Sequence, residues 1–215
     1  MNVVISVLSV DTPPFTELEK SIRETWCNLN RPNFKIFFYY GNHNKNEIIG
    51  DKILTNSGEG LYNVGYKTLR MFEVIYKNYN FDYIFRTNSS SYVDIDNMCN
   101  FLVDKPLESF YCGVFGKSGN IDFCSGSGYF LSRDLVKRVI DNQRLWNHNY
   151  IDDVSLGLLM SQLGINRTLG KRYDFDSGLP INLNNYHYRC KISDNRLDDI
   201  KNMNLIYNLK KQKYE

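Results

Sequence analysis

Val3-Val4-Ile5-Ser6-Val7-Leu8-Ser9 is an almost unbroken aliphatic run, closed at once by Val10-Asp11-Thr12-Pro13-Pro14. A run that is apolar on both faces predicts a strand covered on both faces, as in the middle of a parallel sheet. Pro13 or Pro14 can open a helix, which Leu18, Ile22 and Trp26 carry to about residue 27 with one apolar face. Phe34-Lys35-Ile36-Phe37-Phe38-Tyr39-Tyr40 reads as a second strand ended by Gly41-Asn42, and Ile53-Leu54 as a short third. Val64, Leu69, Phe72, Ile75 and Tyr76 give residues 61–79 a helical period. Phe81-Asp82-Tyr83-Ile84-Phe85-Arg86-Thr87 is a fourth strand, and Asp94 caps a helix over 94–102. Strands at 110–115 and 123–131 flank a glycine-bearing bend at 116–119, and helices follow over 133–142 and 152–162, the latter stopped by Gly164. From about residue 172 the chain reads as irregular until a helix over 197–209.

Strands alternating with helices predict an α/β layer fold around a mostly parallel central sheet flanked by helices. No repeat, linker or break interrupts the pattern, so residues 1–215 read as a single domain. Ligands of such sheets bind beyond the carboxyl ends of the strands. Ser9, Val10 and Asp11, Tyr40-Gly41, and Thr87 through Ser90 should therefore meet at one rim.

A net charge of +2 gives no pull toward nucleic acid, and no uncharged run is long enough to span a bilayer. Residues 1–10 lack the basic start of a signal peptide. The expectation is a cytoplasmic protein with no membrane anchor and no nucleic-acid partner. Cys27, Cys99, Cys112, Cys124 and Cys190 are odd in number and nowhere spaced as CxxC, which predicts reduced thiols. The run Lys210-Lys211-Gln212-Lys213 reads as a solvated terminus. The chain has no alanine and is rich in Asn, Lys, Ile, Tyr and Phe, as AT-rich viral or microbial coding would give.

Two segments carry chemistry. Asp122-Phe123-Cys124-Ser125-Gly126-Ser127-Gly128-Tyr129-Phe130-Leu131-Ser132 has glycines that let backbone approach a ligand closely. Ile151-Asp152-Asp153-Val154-Ser155-Leu156-Gly157 puts two carboxylates at a helix start, where one can serve as a base. With Ile22-Arg23-Glu24-Thr25-Trp26, Tyr62-Asn63-Val64-Gly65-Tyr66-Lys67-Thr68-Leu69 and the 81–94 strand and loop, these segments fall in the order found in one family. The chain resembles the galactosyltransferase/Fringe-type β-1,3-glycosyltransferases.

That resemblance implies a GT-A fold and transfer of a sugar from a nucleotide-sugar, UDP-linked, to an acceptor glycan or glycoside hydroxyl with inversion. It makes Asp153 the base, with Asp152 as the alternative. It places Lys67 and Arg86 among the donor contacts, with Asn88, Ser89 and Ser90 where the family carries an Asp triplet for a divalent cation. Neutral Asn and Ser are poor ligands for a hard cation, so no metal ligand is assigned and no cofactor is strongly implied, Mn²⁺ or Mg²⁺ remaining open through Asp94 and Asp96. Without a metal, Arg and Lys must neutralise the diphosphate. In a strand His187, Arg189 and Lys191 share one face and are the diphosphate candidates, while the end of the first strand (Ser9, Val10, Asp11) holds the nucleoside. Gly126, Ser127 and Gly128 are placed at the acceptor, with Trp146 as an aromatic platform beside the polar loop Asn147-His148-Asn149. The lost triplet also fits a protein of this fold that binds glycan or nucleotide without catalysis.

Overall fold

The computed structural model describes residues 1–28 and 31–214. The chain runs β1 (Val3–Leu8), α1 (Phe15–Glu24), β2 (Phe34–Tyr40), β3 (Glu47–Ile49), β4 (Lys52–Leu54), α2 (Val64–Asn78), β5 (Tyr83–Asn88), β6 (Ser91–Val93) and α3 (Ile95–Leu102). It continues β7 (Tyr111–Ser118), β8 (Ile121–Ser132), α4 (Arg133–Asp141), α5 (Asp152–Gln162), β9 (Arg167–Leu169), β10 (Tyr173–Asp174), β11 (His187–Arg189) and α6 (Leu197–Tyr214).

The main sheet has the order β3-β4-β2-β1-β5-β8-β7-β9. Its centre is parallel, β1 pairing with both β2 and β5. The long β7–β8 hairpin adds antiparallel strands beside β5. A small second sheet, β10-β11-β6, stands next to it. Alternation along β1 divides the interior. Val3, Ile5 and Val7 join α1, α3, α6 and the small sheet, whereas Val4 faces the layer of α2, α4 and α5.

Most predicted elements form close to their expected bounds, and Asp94 caps α3 by accepting the Asn97 N–H at 2.7 Å. The expected bend at 116–119 is mostly strand, since Gly116 pairs with Phe123 and Lys117 with Asp122, and α6 continues past residue 209. Residues 61–63 form a 3-10 turn ahead of α2. The short strands β3, β6, β9, β10 and β11 lie where the sequence shows no strand period; the region past 172 is less irregular than expected because β11 is clamped between β10 and β6. The basic run at the C-terminus also differs from expectation. Lys210 is buried and pairs with Asp94 at 2.5 Å, because Met203, Ile206 and Lys210 share the inward side of α6. The side chain of Lys213 lies outside the described residues.

All five cysteines are free thiols, with Cys112, Cys124 and Cys190 buried. Among the described residues no helix is long and apolar enough to cross a membrane.

Candidate active site at the carboxyl ends of the central strands

The ends of β1 and β5, the start of α2, the middle of β8 and the start of α5 converge. Helix α5 sits unusually close to β8. A methyl group at Gly157 would come within 2.4 Å of Phe123 Cβ and 2.5 Å of the Asp122 carbonyl oxygen. This approach presses the Asp152-Asp153 start of α5 against Gly126.

The two carboxylates then part. Asp153 Oδ2 accepts the Gly126 N–H at 2.6 Å, and its carboxylate borders a polar cavity of about 320 Å³. Asp152 turns to Arg86 of β5, whose Nη2 is 2.7 Å from its Oδ2, and also accepts from Thr68 at 3.1 Å. Arg86 is almost fully buried, donates Nε–H to Tyr39 at 2.9 Å and engages the Gly126 carbonyl. Burial, with Asp153 as a like-charged neighbour, pushes the Asp152 carboxyl up to about 6 against the opposing pull of Arg86.

The polar cavity is lined by Arg86, Asn88, Ser90, Ser125, Gly126, Ser127, Asp152 and Asp153, together with Arg189, Lys191 and Arg196. A second, more apolar cavity of about 410 Å³ adjoins it. Leu8, Val10, Phe15, Leu61, Val64, Lys67 and Ser89 contribute to its wall. Leu8, Leu61, Val64, Asn88 and Arg196 line both.

Several residues expected from sequence stand at this rim, and others do not. Asn88 accepts the Ser90 N–H at 3.1 Å, closing a tight turn that presents Ser89 to the apolar cavity and Ser90 to the polar one. Val10 faces the apolar cavity, but Ser9 does not: its hydroxyl donates inward to Glu19 at 2.9 Å. Asp11 is exposed and lines neither cavity. Lys67 holds the Ser9 carbonyl at 2.9 Å and Glu59 at 2.5 Å, and burial draws its ammonium below the usual range.

His187 is 1% exposed, with its Nε2 3.0 Å from Ser91 Oγ, and lines neither cavity. Burial, with Arg172 and Arg189 nearby, holds it neutral. It therefore offers a diphosphate no charge. Lys191 lies beyond the end of β11, so only Arg189 reaches the cavity from the strand itself. Gly128 touches no open space, since a methyl group there would meet His187 and Phe85. Trp146 is not a surface platform. It is 4% exposed in the interior beneath Gly65, 2.9 Å from where a methyl group there would sit. The exposed aromatics of this region are Tyr62, Tyr66 stacked on His148 with ring centroids 3.5 Å apart, and Tyr150.

Sequence reasoning missed Arg196 and Ser125 as lining residues. Ser125 lies within the glycine-bearing segment, and its place beside Gly126 is the available signal. Arg196 had none, lying in a stretch without periodicity.

The donor set does not suit a divalent cation. The turn at 88–90 offers neutral oxygens, and four cationic side chains, Arg86, Arg189, Lys191 and Arg196, share its cavity. Asp94 is committed to the α3 cap and Lys210, and Asp96 to Arg31. Among the described residues no cluster of three His, Cys, Asp or Glu side chains could hold a metal ion.

Residues 115–170, which include Gly126 and Asp153, match the sequence profile of the Galactosyltransferase family. The UDP-GalNAc:beta-1,3-N-acetylgalactosaminyltransferase 2 of Xenopus laevis is 27% identical over 143 residues, 57% of this chain and 29% of that protein. Beta-1,3-galactosyltransferase 1 of Mus musculus is 25% identical over 188 residues, covering 69% of this chain and 57% of that one. The chain thus spans less than a third of the first relative and little more than half of the second. In three dimensions, a glycosyltransferase involved in glycosylation of the major capsid of PBCV-1 superposes with a TM-score of 0.59 at 12% identity, over 95% of this chain and 100% of that one. The galactosyltransferase LgtC, solved with donor and acceptor sugar analogs, gives 0.52 at 9% identity, over 97% and 96%. The chain resembles the galactosyltransferase family of β-1,3-glycosyltransferases, and its fold is that of the GT-A glycosyltransferases.

Proposed function

We propose that this chain transfers a sugar from a nucleotide-sugar, UDP-linked, to a glycan hydroxyl with inversion and without a divalent cation. One observation carries the reading. Asp153, fixed by the Gly126 amide, borders a polar cavity that Arg189, Lys191 and Arg196 also line and that shares its wall with an apolar cavity at the strand ends. That sequence of surfaces suits a donor lying along the rim. The nucleoside fills the apolar cavity, the diphosphate passes Asn88 and Ser90 toward Arg189 and Lys191, and the sugar stands before Asp153. The acceptor enters past Tyr62, Tyr66 and Tyr150, whose rings suit the apolar faces of sugars.

In the step, the acceptor oxygen bonds to the anomeric carbon as its proton passes to Asp153. The bond from that carbon to the phosphate oxygen breaks, and the electron pair leaves with the diphosphate, whose charge Arg189 and Lys191 balance. Single displacement inverts the anomeric carbon.

The test is turnover of a nucleotide-sugar panel with acceptor glycosides, each run with EDTA and with Mn²⁺. The expected result is transfer from one UDP-sugar that survives EDTA, with an inverted product by NMR. Asp153→Asn should lower the rate about 10²- to 10⁴-fold while UDP still binds. Binding without turnover in the wild type would favour the non-catalytic reading suggested by the neutral 88–90 turn. No binding of any donor would overturn both.

A further inference from the structure

A bound donor must thread both cavities, so the residues common to the two walls decide what its middle portion meets. Four of them are neutral, namely Leu8, Leu61, Val64 and Asn88, and Arg196 is the only charged one. Arg196 is also held in place. Its Nη2 donates to Ser90 Oγ and lies 3.3 Å from the Asp199 carboxylate. Asp199 is fully buried at the start of α6, and the guanidinium carbon stands 5.9 Å from the Phe15 ring centroid. Arg189 and Lys191 reach the polar cavity alone, and each already faces a carboxylate at the surface, Asp176 at 2.8 Å and Asp194 at 3.3 Å.

We propose that Arg196, seated by Ser90 and Asp199 in the wall shared by the two cavities, is the principal diphosphate-binding side chain of the donor site. The inference rests on the donor reading above and sharpens it. A guanidinium offers five N–H donors in a planar fork that matches phosphate oxygens; Nη2 is engaged by Ser90 and Asp199 and Nε is buried, so it is the Nη edge of the fork that meets phosphate. The serine at position 90, which cannot hold a cation well, holds an arginine instead. Ser90 and Asp199 are positioning residues: they orient the fork before ligand arrives, so little ordering is left for binding to do.

Calorimetric titration with UDP, UMP and uridine in EDTA tests this. The wild type should bind UDP tighter than UMP, and UMP tighter than uridine. Arg196→Gln, which removes the charge and the fork but keeps a polar side chain, should weaken UDP about 10- to 100-fold and leave uridine within twofold. Arg196→Lys should recover part of the loss, because an ammonium keeps the charge without the fork. Ser90→Ala should weaken UDP by a smaller factor and reduce the preference for UDP over uridine. Wild-type UDP binding with Arg196→Gln within twofold would overturn this inference and leave the donor reading standing. UDP binding that EDTA abolishes and Mn²⁺ restores would overturn it too. A wild type that binds none of the three would overturn the donor reading and this inference with it.

Discussion

Asp153 meets the cavity with one oxygen tied to the Gly126 amide, while Asp152, one residue earlier, spends its charge on buried Arg86. The backbone at 126 is the hinge of this division: its N–H holds one carboxylate and its carbonyl accepts from the arginine that holds the other. There is no room for a side chain there, since a methyl group would stand 2.9 Å from Asp153 Oδ2 and 3.2 Å from Arg86 Nη1. Gly126→Ala should therefore displace the carboxylate and cost about 10²-fold in kcat, with donor binding nearly unchanged. Single-turnover rates beside UDP affinity would show the split. The acidic pair and the glycine were both legible in the sequence as neighbours of chemistry. Their division of labour was not, because it depends on Arg86, which only the fold brings to Asp152.

Helix α5 and strand β5 are joined by the Arg86–Asp152 pair, both side chains almost fully removed from water. The folded carboxyl of Asp152 sits near 6 against an ordinary value of 3.8. A raised pKa means that the folded state takes up the proton first. The stability this group contributes is full below about pH 4 and is lost as pH rises through about 6. Removing the cation enlarges that loss. Arg86→Leu should destabilise the protein by about 3–5 kcal/mol at pH 8, and by less at pH 5, where Asp152 is neutral. Urea melts at the two pH values give the comparison. Long elements such as α2 and β8 were readable because many apolar residues repeat within them. Strands of two or three residues, such as β10 and β11, have too few positions for a period and are made by their partners. The burial of His187 is hidden in the sequence for that reason: its neighbours in β6, on which its burial depends, lie far off along the chain.

The whole molecule is closed by α6, which packs against α1 and β6 and brings Lys210 to Asp94 at the head of α3. The same helix begins at the Arg196–Asp199 seat, so the cavity wall and the closing contact belong to one rod. Lys210→Met should leave the Asp94 carboxylate buried without its cation and cost about 3 kcal/mol of global stability. A read-out is already built into the chain. Burial pushes the thiols of Cys112 and Cys124 up to about 12 and that of Cys27 to about 11, with Cys99 and Cys190 shifted the same way. Because only a thiolate attacks an alkylating reagent, the buried sulfurs of Cys112, Cys124 and Cys190 are silent while the chain is folded and become reactive as it opens. The three buried cysteines, idle in the chemistry of the site, thus act as a stopwatch: the rate at which iodoacetamide captures them times each excursion of the molecule from its native state.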